Sequence, residues 1–142
     1  MNKLILFFLL FICSNLIYAD NNPIADPNAI VTSGDMRFTV LTPEMIRIEW
    51  SGNQVFEDRA SFTVINRRLP VPAFTKEEKD GFLYIKTEKL TLQYRVGSFP
   101  GTSNPPSSQN LKITFLLDGR IVTWYPWKTD NLGSAEKLKS SF

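Results

Sequence analysis

From Met36 onward the chain is a succession of short runs in which apolar and polar residues alternate. Met36, Phe38 and Val40 alternate with Arg37 and Thr39, and Ile46, Ile48 and Trp50 with Arg47 and Glu49. Successive strand residues face opposite sides of a sheet, so each run predicts a half-buried β-strand. The same reading gives strands over residues 61–65, 74–78, 82–87, 90–95, 111–117 and 120–124. In the fifth of the eight, Leu83 and Ile85 face one side, Phe82 and Tyr84 the other. Asp80-Gly81 and Asp118-Gly119 each stand between two such runs. Asp-Gly is a strong hairpin signal, because both central residues of the tight turn need positive φ. Thr42-Pro43-Glu44 turns the chain once more, and residues 96–109, with three prolines, two glycines and several serines, form a long loop. No run supports an amphipathic helix of three turns. Eight strands with mostly short connections predict an all-β antiparallel sandwich built from meanders.

Residues 56–72 join a polar turn to an apolar run and a basic, proline-closed exit. Phe62 and Val64 are expected on one face of the third strand, Thr63 and Ile65 on the other. Pro70 and Pro72 hold the chain extended and remove ladder donors. Charge gathers at both ends, as Glu57-Asp58-Arg59 and Asn66-Arg67-Arg68. That pattern fits either the rim of a site or the solvated edge of a sandwich.

The ends of the chain read differently. Lys3, an apolar run from Leu4 to Cys13 and a closing Tyr18-Ala19 form a secretory signal peptide, residues 1–19. Ten apolar residues fall short of the ~20 that a spanning helix needs. Ile12 before Cys13 is too large for a lipoprotein signal. Residues 20–33, rich in Pro, Asn and Asp and without periodicity, read as a leader ending in a Gly34-Asp35 turn. Residues 34–133 are the domain, with Asp130-Asn131-Leu132-Gly133 a closing turn. Residues 134–142 are a short tail holding at most the start of a helix. Cys13 is the single cysteine, so the cleaved chain has no disulfide and depends on its core. The expected location is secreted or lumenal, periplasmic in a bacterial source.

Composition removes several kinds of chemistry. The chain contains no histidine. Serine or cysteine hydrolysis assisted by histidine is excluded, and so are nearly all zinc sites. No phosphate-binding glycine loop is present, and a net charge of +2 does not call for nucleic acid. No cofactor or metal is expected. Glu57 and Asp58 are adjacent, so they point apart and do not form an acid/base pair, while Arg59 favours their ionised forms. Asp58 with Arg59 fits an anchoring contact, and Asn66 with Arg67 fits hydrogen bonding to sugar hydroxyls or to another domain. Trp124, Tyr125 and Trp127 are clustered; they suit either sugar stacking or the edge of a core. Residues 76–80 are a charged hairpin tip.

The order of these motifs resembles a known family. The run from Met36 to Ser51 is similar to the opening strands of the N-terminal domain of glycoside hydrolase family 31, the α-glucosidase and α-xylosidase family. Phe56-Glu57-Asp58-Arg59, Val64-Ile65-Asn66-Arg67 and Leu69-Pro70-Val71-Pro72 resemble that domain's next segment. Leu90-Thr91-Leu92-Gln93-Tyr94, Asn110-Leu111, Thr123-Trp124 and Asp130-Asn131-Leu132-Gly133 fit its later course. The resemblance spans about residues 34–133. It implies a β-sandwich of the galactose-mutarotase-like type, packed against a (β/α)8 barrel that carries retaining α-glycoside hydrolysis on two aspartates. Such a barrel takes ~250 residues, and its motifs are not in this sequence. The resemblance therefore implies a non-catalytic domain without catalytic residues, whose partner is the missing barrel. Asp58, Arg59, Asn66, Arg67, Trp124 and Trp127 are its candidate carbohydrate or inter-domain contacts. The other expectation is a stand-alone secreted module binding α-glucan or oligosaccharide through Trp124, Tyr125 and Trp127.

Overall fold

The computed structural model describes residues 21–97 and 105–128. The stretches expected as a signal peptide, as a turn at 130–133 and as a tail lie outside the described residues. The described chain folds into two antiparallel sheets, an all-β sandwich. The smaller sheet has the order β1-β2-β3, with β1 Ile30–Ser33, β2 Met36–Thr42 and β3 Met45–Trp50. The larger has the order β4-β5-β6-β7-β8, with β4 Phe74–Lys79, β5 Phe82–Thr87, β6 Leu90–Arg95, β7 Leu111–Leu117 and β8 Arg120–Trp124. Every strand pairs with its sequence neighbour, so each sheet is a plain meander.

The alternation places the core. Val31, Met36, Phe38 and Val40 of the small sheet meet Leu83, Ile85, Leu92, Tyr94 and Leu111 of the large one. The rings of Phe38 and Tyr94 lie 5.5 Å apart across the interface, tilted by 56°. That is the offset, edge-biased geometry aromatic pairs favour. Burial pushes the Tyr94 hydroxyl above its ordinary pKa, with a further push from the Asp35 charge. Both Asp-Gly turns adopt the expected conformation. Asp80 and Gly81 have φ of 53° and 78°, Asp118 and Gly119 of 51° and 73°. The charge run becomes the outer strand β4, whose Lys76, Glu77, Glu78 and Lys79 are exposed. Charged side chains along a free edge discourage pairing with another chain.

Two expectations about where strands lie are corrected. Residues 61–65 form no strand. Ser61 and Val64 close a local turn instead, with the Ser61 amide donating to the Val64 carbonyl at 3.2 Å and the Ser61 hydroxyl accepting from the Val64 amide at 3.1 Å. Phe62 stands fully exposed and Ile65 half-exposed, so among the described residues the β-forming composition finds neither a partner strand nor a core to face. The place in the strand count goes to the supposed leader. Asp26 caps a 3-10 turn, Pro27–Ala29, by accepting from the Asn28 amide at 2.9 Å, and β1 follows at once. Val31 and Ser33 of β1 are buried, as are Ala25 and Ala29. The run was too short for its alternation to stand out against the prolines.

β2 is buried on both faces, not one. Arg37 and Thr39, whose alternation predicts a solvated side, are 7% and 1% exposed, and Leu41 beyond them is 2% exposed. What covers Arg37 includes the irregular segment that opens with Phe56, and this third layer brings the candidate residues together.

Candidate functional site

The centre of the site is Arg37, in the middle strand of the small sheet. It lies directly opposite Glu49 of β3, and paired residues of an antiparallel ladder share a face. Its Nε donates to Glu49 Oε2 at 2.8 Å and Nη2 to Oε1 at 3.0 Å, a two-pronged carboxylate clasp. Nη1 donates to Asp58 Oδ1 at 2.7 Å, and the guanidinium lies over the Phe56 ring, 4.8 Å from its centre. Arg47, beside Arg37 on the same face, also pairs with Glu49. Burial opposes the charge on Arg37, but the Glu49 and Asp58 carboxylates more than offset it and hold its pKa above the ordinary value. For Arg47 burial prevails, aided by the nearby Arg67 and Arg37 charges, and the pKa falls.

One backbone oxygen ties the layer down. The Glu57 carbonyl accepts from Arg37 Nη2 at 3.1 Å, Arg47 Nη2 at 3.2 Å and Arg67 Nη1 at 3.0 Å. Arg67 is 2% exposed and also donates from Nη2 to the Arg59 carbonyl at 2.7 Å. Among the described residues its Nε is buried with no partner. Its backbone amide donates to the Asn22 carbonyl at 2.8 Å, and the Arg68 amide to the same oxygen at 3.2 Å. The Arg68 guanidinium reaches the Ala25 carbonyl at 3.4 Å and Asp26 at 3.8 Å. Residues 22–26, the turn at 57–59 and the exit at 66–68 are thus laced to the outer face of the small sheet by arginines.

Asp58 and Arg67 are therefore brought together through Arg37 and the Glu57 carbonyl, and Arg59 joins them only through its backbone carbonyl, not through its guanidinium. Arg59 pairs instead with Glu57: Nη2 lies 2.6 Å from Oε2, and the Arg59 amide donates to Oε1 at 2.7 Å. The side-chain hydrogen bonds from Arg59, then that amide, lower the Glu57 pKa to about 2, although the pair is exposed. Asn66 turns inward on its own segment, its side chain accepting from the Arg68 amide at 3.1 Å. The aromatics do not form one platform. Trp124 packs partly against the core, Tyr125 lies beneath the Lys128 amine at 5.8 Å, and Trp127 is 87% exposed at a φ of 66°. That left-handed conformation is unusual for a residue with a Cβ.

The carboxylates of this network are engaged with arginines. Glu49 and Asp58 are spent as acceptors on Arg37. Glu57, clasped by Arg59, is ionised at neutral pH. In a titration followed by carboxyl carbon shifts, Glu57 should have its midpoint near 2, well below the ~4.3 of an unfolded glutamate. Since its folded pKa is depressed, the stabilisation from its pair is present above the unfolded value and disappears as pH falls toward 2. A midpoint near 4 would mean that the Arg59 clasp does not persist in solution. Among the described residues no group of three or more His, Cys, Asp or Glu is placed to hold a metal, and no helix is long and apolar enough to cross a membrane.

Sequence reading missed Arg37, Arg47 and Glu49 as members of this site. Their signal was opposite charges on the polar faces of two adjacent strands, but their closeness depends on the pairing register. No protein-family model matches the chain, and no curated protein is significantly similar to it in sequence.

Proposed function

We propose that this chain is the non-catalytic N-terminal β-sandwich of a secreted or lumenal α-glycoside hydrolase of family 31, of the galactose-mutarotase-like type, serving a catalytic barrel that lies outside this sequence. One observation carries the reading. Two stretches of the resemblance, the run from Met36 to Ser51 and the run from Phe56 to Arg67, converge on one network through Arg37, Arg47, Glu49, Asp58 and Arg67. The buried arginines and the absence of an unengaged carboxylate pair in the network suit bracing and docking, not hydrolysis.

The transcript beyond the Phe142 codon tests this. An open frame encoding a barrel with two suitably placed aspartates is the expected result; a stop codon there in the intact transcript overturns it. The pure chain is expected to release no p-nitrophenol from p-nitrophenyl α-glucoside. Turnover that is lost on a substitution within the chain would equally defeat the proposal.

A stand-alone α-glucan binder is the second reading, favoured by the exposed, left-handed Trp127. Flat, exposed indoles stack on sugar faces, and strained backbone often marks a binding residue. Retardation in a starch-containing gel that vanishes in Trp127→Ala supports it; equal migration with and without starch removes it.

A further inference from the structure

The charges under the irregular layer do not balance. Arg37, Arg47 and Arg67 all donate to the Glu57 carbonyl, at 3.1, 3.2 and 3.0 Å, so their guanidiniums are close neighbours. Among the described residues, the ion pairs of this group run from Arg37 to Glu49 and Asp58 and from Arg47 to Glu49. Glu57 does not make up the difference, because its carboxylate is clasped by Arg59. Of the causes that depress its pKa, the Arg59 hydrogen bonds come first and the Arg67 charge last. Asp26 is beside Arg68, at 3.8 Å. Three cations thus share two carboxylates, which leaves an excess of one positive charge. The excess rests on Arg67, which is 2% exposed. Its Nη1 and Nη2 hold the Glu57 and Arg59 carbonyls, which accept hydrogen bonds but carry no net charge. Its Nε, also buried, has no hydrogen-bond partner among the described residues. A buried cation calls for a counter-charge and a buried donor for an acceptor.

We propose that a single chloride ion binds between Arg47 and Arg67, accepts from Arg67 Nε, and neutralises the cluster. Three observations select this ligand. The first is charge: an excess of one calls for one monovalent anion. Arg47 registers that excess, since burial and then the Arg67 and Arg37 charges lower its pKa against the pull of Glu49. The second is size. Arg67 Nε lies in a closely packed layer, and a monatomic ion brings one acceptor to it where phosphate would bring four oxygens. The third is access. The Arg47 side chain keeps 16% of its surface exposed, so an ion can enter beside it. Thr39, opposite Arg47 in the ladder and therefore on the same face, offers a hydroxyl there as a further donor. The proposal does not depend on the glycoside-hydrolase reading.

Chlorine-35 NMR of sodium chloride with the full chain tests it. The protein is expected to broaden the chloride line, and added bromide to reverse the broadening. Arg67→Gln and Arg47→Gln each remove the excess charge and should each abolish the effect. Lys79→Gln, on the exposed outer strand β4, changes the net charge equally and should retain it. No broadening by the unaltered chain, or broadening that survives in both arginine variants, overturns the proposal. So does its loss in Lys79→Gln, since the effect would then follow net charge alone. Where an arginine variant fails to fold, urea unfolding of the unaltered chain decides. With chloride exchanged for methanesulfonate at constant ionic strength, the midpoint should rise with chloride concentration, because an ion that binds only the folded state stabilises it. A midpoint indifferent to the anion refutes the site. A midpoint raised by inorganic phosphate but not by chloride would put an oxyanion there and refutes the chloride assignment equally.

Discussion

Replacing Arg37 by alanine is expected to cost about 3 kcal/mol of folding stability, measured as the shift in urea midpoint at constant slope. The side chain is 9% exposed and its partner Glu49 11%, so the pair is a buried one. Alanine leaves Glu49 with Arg47 as its remaining cation, which keeps the loss at the lower end of the range for broken buried pairs. Asp58, 57% exposed, returns to water at little cost. The Glu57 carbonyl keeps two of its three donors, Arg47 and Arg67. A double-mutant cycle separates these parts. Arg37→Ala with Glu49→Ala should show coupling of about 2 kcal/mol, and Arg37→Ala with Asp58→Ala less than about 1 kcal/mol. Arg37→Lys is expected to recover only part of the loss. A single amine cannot clasp both Glu49 oxygens while reaching Asp58 and the Glu57 carbonyl. Equal coupling to Asp58 and Glu49 would mean that the irregular layer, not the ladder pair, carries the energy.

Arg37 also marks where the sequence was legible and where it was not. The alternation in β2 and β3 was plain, and it placed Phe38 and Ile48 inside, Arg37 and Glu49 outside. It did not show how the two strands pair. Counting back from the turn, Thr42 opposite Met45, sets Arg37 against Trp50 and Phe38 against Glu49, an inward residue facing an outward one. Ladder partners share a face, so that register is forbidden by the pattern itself. The chain resolves the conflict with a bulge between Val40 and Thr42. One extra residue, Leu41, shifts the pairing so that Phe38 meets Ile48 and Arg37 meets Glu49. The need for an odd residue was implicit in the two runs, but its position was not.

The third layer was less legible still. Residues 61–65 have the composition of a strand, and composition does not reveal whether a neighbour with a free edge is at hand. Asn22 holds Arg67 and Arg68 through its backbone carbonyl, which any residue could supply, while its side chain accepts from the Ile24 amide at 2.9 Å, so nothing in its identity marks it as their anchor. The arginines 37, 47 and 67 were visible as charges. A basic residue in a short polar run reads as solvated, because its burial depends on a carbonyl brought from elsewhere in the chain. The Asp-Gly hairpins, in contrast, were fully legible, since their conformation is set by two adjacent residues.

The larger loss is expected from Phe38→Ala, about 4 kcal/mol. Phe38 is fully buried at the heart of the interface between the sheets, against Tyr94 on one side and between Met36 and Val40 along its own strand. Alanine removes the ring from both sheets at once and leaves a cavity whose walls are strands, each fixed by ladder hydrogen bonds and unable to close inward. For a sandwich without disulfides, a loss of this size is a large part of a typical total of 5–15 kcal/mol, so the variant should unfold at markedly lower urea. Phe38→Leu should cost less, because it retains most of the apolar volume. Phe62→Ala is the control for residues 61–65. As a strand residue with an inward face, Phe62 would resemble Phe38 in effect. As the exposed tip of an irregular turn, it should shift stability by no more than about 0.5 kcal/mol. A comparable loss from Phe38→Ala and Phe62→Ala would mean that residues 61–65 pack against the core after all. A wide separation between them places the hydrophobic stabilisation between the two sheets and leaves the outer layer to be held by Arg37, Arg47 and Arg67.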